Sequence, residues 1–336
     1  MFRIGKKSIT ILLTFILVIS MFSGVSAAEV PKGKIVEGNM NHDGLDRTYK
    51  YYVPSTYKGN KPVPLMISFH GSGSSAAGQI ELTGYEKVAE KEGFIVVFPD
   101  SIVTNADDEI IPTPEDGPFN PNAGLERKWN IGSEPGALAT VDDVGFTSAL
   151  IDHFSEVYNI DESRVYATGM SYGGFFVNHL AVHLTDRIAG IGAVTGQMGI
   201  NTSNSKADGP VTAVYVMGDS DPTVPPGGIP NFTLSVENGL SYWINHNQIK
   251  AKSKVTSLPE MVDDGTKIRR EEYLGGKHGT RVVSYTVENG GHTWPGGPQY
   301  LPVNLIGIAS QQMNASEVIW NDLKRHSIPG AKSRNR

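Results

Sequence analysis

The sequence contains no cysteine at all. That excludes a disulfide framework and a lipid anchor on a cysteine. Charge of one sign is also scarce: 29 Lys and Arg stand against 35 Asp and Glu, for a net charge of -6. A mildly acidic chain argues against nucleic acid or an anionic membrane as the main partner. After the first 27 residues no second long apolar run occurs, so nothing reads as a membrane span. No internal repeat and no linker long enough to separate two domains is present.

The start of the chain reads as an address label. Arg3, Lys6 and Lys7 form a basic opening, residues 8–22 are almost wholly apolar, and Val25-Ser26-Ala27 offers small residues for cleavage. This is the layout of a secretory signal peptide, spanning residues 1–27. Its removal leaves a freely secreted, extracellular protein with no stable membrane anchor, and residues 28–336 as a single domain. The whole chain has 336 residues, 39% hydrophobic and 19% charged, enough to bury a large core without staples.

Strand and helix patterns alternate along that domain. Residues 48–53 are rich in Tyr and suit a strand, residues 64–69 form an apolar run ending in His70-Gly71, and residues 94–98 form another, stopped by Pro99. Between them Leu82, Tyr85, Val88 and Ala89 recur at helical spacing up to Gly93. A polar, Pro- and Gly-rich stretch follows over about 100–139. Residues 143–158 predict a helix, 164–168 a strand, and Phe175, His179, Val182 and His183 mark the next helix. Strands are predicted at 188–194, 211–217 and 281–287. Residues 222–280 read as an insertion carrying a helix near 240–249. The last helix opens at Asn314, with Glu317 completing a capping box, and runs to about His326. The tail 332–336 reads as disordered. Strands alternating with helices imply a mostly parallel central sheet covered by helices on both faces, an α/β architecture.

One motif carries chemistry. Gly169-Met170-Ser171-Tyr172-Gly173 matches Gly-x-Ser-x-Gly, and it sits between a predicted strand and a predicted helix, as a nucleophile elbow requires. The elbow makes Ser171 the candidate nucleophile. A serine hydroxyl needs a base to take its proton. Such an elbow points to the α/β-hydrolase fold, with its mostly parallel central sheet and helices on both faces, where the partners follow in the order Ser, Asp or Glu, His. Of the four histidines that lie far enough downstream, His246 falls in a predicted helix, His278 in a Gly-rich region and His326 at the end of a helix. His292 lies in a loop just past a strand, where ligands meet an open α/β sheet. For the acid, Gly218-Asp219-Ser220-Asp221-Pro222 follows a strand. Asp221 lies beyond the turn, stiffened by Pro222, while Asp219 sits where it could cap the turn. An oxyanion hole needs two N–H donors. Tyr172 supplies one, and the loop His70-Gly71-Ser72-Gly73 the other, with Ser72 ahead of Gly73. That loop lacks the endings of a P-loop or a dinucleotide site, and no cofactor or metal is implied.

Other features invite alternative readings. His179 and His183 stand four apart, but Leu180 replaces the glutamate of a His-Glu-x-x-His zinc site, so packing or solvent contact explains them better. The acidic residues Asp107, Asp108, Glu109, Glu115 and Asp116 lack calcium-loop spacing. Asp142 or Asp143 reads as the cap of the following helix. Trp129 and Trp294 are candidate substrate-binding walls, or core.

Taken together, His70-Gly71, Trp129-Asn130, Asp142-Asp143-Val144-Gly145-Phe146, the run from Arg164 to Gly174, Gly218 with Asp221, and Gly291-His292-Thr293-Trp294-Pro295-Gly296-Gly297 resemble the secreted esterase family that includes poly(3-hydroxybutyrate) depolymerases and feruloyl or acetylxylan esterases. The pieces keep the family's order across most of the mature chain. The resemblance implies a Ser171–His292–Asp221 triad and an ester substrate, small, oligomeric or polymeric. It favours Asp221 over Asp219. Members often carry cysteines, including one soon after the His-Gly pair. Asn is frequent where Tyr172 stands, and the loop 100–128 is longer here than usual. Two rival expectations are a serine peptidase of the same fold and a non-catalytic polymer-binding protein.

Overall fold

The computed structural model describes residues 31–111 and 126–330. The signal-peptide reading of residues 1–27, the reading of the tail 332–336, and residues 112–125 of the long polar loop lie outside them.

Among the described residues ten strands form one sheet. Its centre is six parallel strands in the order β4 (Ile95–Pro99), β3 (Val63–Phe69), β8 (Ile160–Met170), β9 (Gly190–Val194), β10 (Thr212–Gly218), β13 (Val282–Glu288). These are the apolar runs of the sequence. A strand buried on both faces has no reason to alternate with polar residues. Antiparallel strands extend both edges: β1 (Ile35–His42) and β2 (Leu45–Tyr52) beyond β4, and β12 (Lys267–Tyr273) and β11 (Lys254–Ser257) beyond β13. Three two-residue strands, β5 (Val103–Thr104), β6 (Ile110–Ile111) and β7 (Glu126–Arg127), pair as a small separate sheet within the polar loop.

Helices cover both faces. On one, α1 (Ala76–Thr83), α2 (Tyr85–Glu92) and α8 (Ala315–Leu323) bury Tyr85, Val88, Ile319 and Trp320 against Tyr166, Val214 and Val216. On the other lie α3 (Asp143–Val157), α4 (Tyr172–His183) and α6 (Val236–His246). Tyr215, between Val214 and Val216, turns to that second face and donates its hydroxyl to Asn178 of α4, while Trp243 of α6 donates to both. Such alternation follows from the period of two in a strand. Two four-residue helices, α5 (Ile200–Ser203) and α7 (Val303–Ile306), complete the set. This is the α/β-hydrolase arrangement.

The differences from the sequence reading are local. The helix predicted up to Gly93 is two, because Gly84 adopts a left-handed conformation (φ 58°) that ends α1 and restarts the chain as α2. The stretch 222–280 is not wholly an insertion: its second half supplies β12 and β11. Their sequences, Lys-Ile-Arg-Arg-Glu-Glu-Tyr and Lys-Val-Thr-Ser, are polar because they form the sheet's exposed edge. Asn314 caps α8 through Glu317 N, but the Glu317 carboxylate turns to Lys91, so the capping box is half made.

Candidate active site

The sheet topology brings the three candidate catalytic residues to one end. Ser171 follows β8, Asp221 follows β10 and His292 follows β13, all at carboxyl ends of parallel strands. That edge is where open α/β sheets bind ligands.

Ser171 has φ 54° and ψ -118°, a conformation that L-residues rarely adopt. Its backbone N–H donates to Val194 O at 2.9 Å, and its carbonyl accepts from Phe175 N at 3.0 Å. The strained turn is held from both sides. The glycines beside it exist because the chain crosses itself there. A Cβ on Gly169 would lie 2.4 Å from Gly173 C, and one on Gly173 would lie 2.3 Å from Phe69 O. The turn therefore folds against the end of β3 and lifts the Ser171 hydroxyl away from its backbone. Among the described residues that hydroxyl makes no hydrogen bond.

His292 and Asp221 do meet. His292 Nδ1 lies 2.7 Å from Asp221 Oδ2, and both side chains are buried. The other carboxylate oxygen accepts from Thr223 N and Val224 N, each at 2.8 Å. With the carboxylate so fixed, Nδ1 carries the proton and Nε2 keeps its lone pair. His292 is also clamped by its backbone: its N–H donates to Ile306 O at 2.6 Å and its carbonyl accepts from Tyr300 Oη at 2.9 Å. No hydrogen bond joins His292 Nε2 to Ser171 Oγ among the described residues. A nucleophile–base bond of this kind is often long before substrate engages. Asp219 does other work: its Oδ1 accepts from Asn289 N at 2.7 Å and Ser220 Oγ at 3.0 Å, tying the acid loop to the turn before His292.

Two N–H groups remain as candidates for oxyanion donors. Tyr172 is the first residue of α4, so its N–H has no partner within the helix. On the other loop, Gly73 N donates to Arg127 O at 2.9 Å and is already used. The Ser72 N–H has no partner among the described residues. Gly71 brings that loop to the nucleophile, since a Cβ there would lie 3.3 Å from Ser171 Cβ.

Trp129 and Trp294 are not walls of an open cleft. They are 0% and 1% exposed. Trp294 donates its indole N–H to Ser316 Oγ at 3.1 Å and packs on Tyr85, in the core. Trp129 donates to His70 O at 2.9 Å and stacks on Phe176, with centroids 5.2 Å apart. It supports the donor loop from beneath. The next residue, Asn130, donates its backbone N–H to Asp143 Oδ2 at 2.7 Å, while Asp143 Oδ1 meets Arg47 Nη2 at 2.6 Å. Asp142 caps α3 through Gly145 N at 2.7 Å. The Trp-Asn and Asp-Asp pieces of the sequence thus join behind the site.

Around Ser171 and His292 stand side chains whose contacts carried no sequence signal. Tyr172 donates its hydroxyl to Glu134, and Lys128 lies 5.9 Å from the ring centroid. Burial first, then the Glu134 carboxylate, push the Tyr172 phenol far above its ordinary range. Phe175 and Phe232 continue this aromatic side, 5.4 Å apart. Beside His292, Tyr300, Val303 and Leu305 are 40%, 51% and 57% exposed, an apolar margin. Of the other singled-out residues, His179 Nδ1 lies 3.1 Å from Thr202 Oγ1 and packs beside His183, and Asp108 accepts from Ala137 N. His246 contacts Gly209 O.

No protein-family model matches the chain. It is 26% identical over 295 residues to NocK of Nocardia uniformis subsp. tsuyamanensis, which is designated an esterase, covering 82% of this chain and 78% of that protein. It is 26% identical over 250 residues to feruloyl esterase B of Piromyces equi, covering 71% of this chain but only 41% of the relative. Among solved structures it resembles the acetyl xylan esterase of Aspergillus awamori, with a TM-score of 0.51 and 14% identity over 78% of this chain and 94% of that one. The chain thus has esterases among its relatives and shares their fold. Among the described residues, no helix is long and apolar enough to cross a membrane.

Proposed function

We propose that this chain is a secreted serine carboxylic-ester hydrolase working through Ser171, His292 and Asp221. The observation that carries the reading is the buried His292–Asp221 pair at 2.7 Å on the same sheet end as a serine in a strained elbow. A structural histidine would need neither a fixed carboxylate nor a strained serine near it.

In the proposed cycle His292 Nε2 takes the proton of Ser171 as its oxygen attacks the ester carbonyl. Asp221 holds the imidazole tautomer and stabilises the imidazolium that forms. The N–H groups of Tyr172 and Ser72 receive the oxyanion. His292 then returns its proton to the departing alcohol, and water repeats the steps on the acyl-enzyme. The aromatic side at Tyr172 and Phe232 and the apolar margin at Tyr300, Val303 and Leu305 favour an ester with a sizeable apolar or aromatic part. Feruloyl or acetyl esters of plant polysaccharide, and hydroxyalkanoate esters or oligomers, are the classes to try.

The test is Ser171→Ala with a short p-nitrophenyl ester and a fluorophosphonate label. Wild type should turn over and label. The variant should do neither while keeping its circular dichroism. Undiminished turnover by the variant ends the proposal, and hydrolysis of aminoacyl amides in preference to esters moves it to a peptidase.

A further inference from the structure

The proposed reaction leaves His70 unused, although it is fully buried beside the nucleophile. Its two ring nitrogens have distinct partners. Nε2 accepts the backbone N–H of Ser101 at 3.1 Å, and Nδ1 lies 2.7 Å from Gly71 O. A backbone N–H only donates and a carbonyl only accepts. The pair of contacts therefore fixes His70 as the neutral tautomer with its proton on Nδ1.

That proton holds one peptide unit. Gly71 O receives His70 Nδ1–H and, at 3.2 Å, Ser74 N–H. The same planar unit carries the Ser72 N–H, which must point opposite to its carbonyl. Fixing the Gly71 oxygen fixes the direction of the Ser72 donor. The neighbouring contacts immobilise the rest of the loop, with Trp129 on His70 O and Arg127 O on Gly73 N. Pre-set orientation matters because a donor that must turn during the reaction loses most of its value.

We propose that His70 is a positioning residue: its Nδ1–H aims the Ser72 N–H at the oxyanion formed on attack by Ser171. This rests on the esterase reading above.

Two amide substitutions separate the nitrogens. In His70→Asn the side-chain amide nitrogen can occupy the Nδ1 position and still donate to Gly71 O. In His70→Gln the amide reaches the Nε2 position, keeps Ser101 and abandons Gly71. Removing one oxyanion donor outright lowers kcat by about 10²–10³, so a misaimed one should lower it roughly tenfold to a hundredfold. The expected result is that loss in His70→Gln, with KM within about threefold, and His70→Asn within about fivefold of wild type. Phenylboronic acid, which forms a tetrahedral adduct on the serine, should weaken in His70→Gln by the same factor as kcat. Equal losses in both variants, a loss confined to KM, or both variants unfolding overturns the proposal. If only His70→Gln fails to fold, His70→Asn decides alone, and a folded His70→Asn down more than tenfold overturns it. A wild type that neither hydrolyses ester nor labels at Ser171 removes the parent reading and this one with it. An active, labelled wild type with indistinguishable variants removes only this one.

Discussion

Asp219 and Asp221 stand two residues apart on one loop, and their hydrogen bonds divide their roles. Asp221 spends one oxygen on His292 and the other on two N–H groups of its own turn, so it cannot rotate away from the imidazole. Asp219 braces the Asn289 turn, and among the described residues it makes no hydrogen bond to the Ser171 or His292 side chain. Asp221→Asn should therefore lower kcat on a p-nitrophenyl ester by about 10³–10⁴, because an amide favours the wrong tautomer and cannot stabilise an imidazolium. Asp219→Asn should stay within a few-fold. Steady-state kinetics on both variants is the check, and the reverse ranking would transfer the acid's role. That Asp221 rather than Asp219 meets His292 was only partly legible in the sequence: its place past the turn and before a proline leaned that way, and the family resemblance favoured the same residue. The roles of the tryptophans were not legible. An indole in a glycine-rich loop has the same signature whether it faces a ligand or a neighbouring carbonyl. His70 Nδ1 and Tyr300 were equally silent, since a side-chain bond to a nearby carbonyl leaves no period or motif.

At the scale of elements, the elbow was readable because it is a local steric problem. Strand, turn and helix must cross at a distance that only glycine permits, and that demand writes itself into five consecutive residues. Gly173→Ala puts a methyl 2.3 Å from Phe69 O and 2.7 Å from His70 O, both backbone atoms that cannot swing aside. Stability should fall by about 3 kcal/mol, and activity should fall with it, because the displaced atoms belong to the donor loop. Gly227 has nothing within 4 Å of its would-be Cβ. Gly227→Ala should change stability by no more than about 0.5 kcal/mol. Urea midpoints for the two variants test the contrast. The central parallel strands were equally legible, as apolar runs buried on both faces. The outer antiparallel strands were not: β12 is five-sevenths charged, and its pairing to β13 is a tertiary fact that composition hides.

At the scale of the whole molecule, two imidazoles with no part in the proposed chemistry bear on stability, the half-buried His179 and the buried His326. His179 sits under Phe176 and Thr202, and His326 lies just past the last helix, which ends at Leu323 short of the predicted end, with its carbonyl accepting from Tyr166 Oη. Burial lowers both to about 4 from an ordinary 6.5, helped at His179 by His183 and at His326 by Arg281 and His278. Between those two values the unfolded chain holds protons that the folded chain refuses. The unfolded state then binds more protons, so stability falls as pH falls through this window and the fall levels off below about pH 4. The slope is at most about 1.4 kcal/mol per pH unit for each histidine. Carboxylates such as Asp264, lowered to about 2 by hydrogen bonds from Thr266, Gln311 and Gln312 that outweigh its burial, act in a lower window, losing their contribution as pH drops from about 3.8. Chemical denaturation at pH 6.5 and pH 5 therefore isolates the imidazoles. Wild type should lose up to about 3 kcal/mol more across that interval than a His179→Asn/His326→Asn double variant. An equal change in the two proteins between those pH values would mean that these rings are protonated in the folded state at pH 5, and that the packing around them accepts the charge.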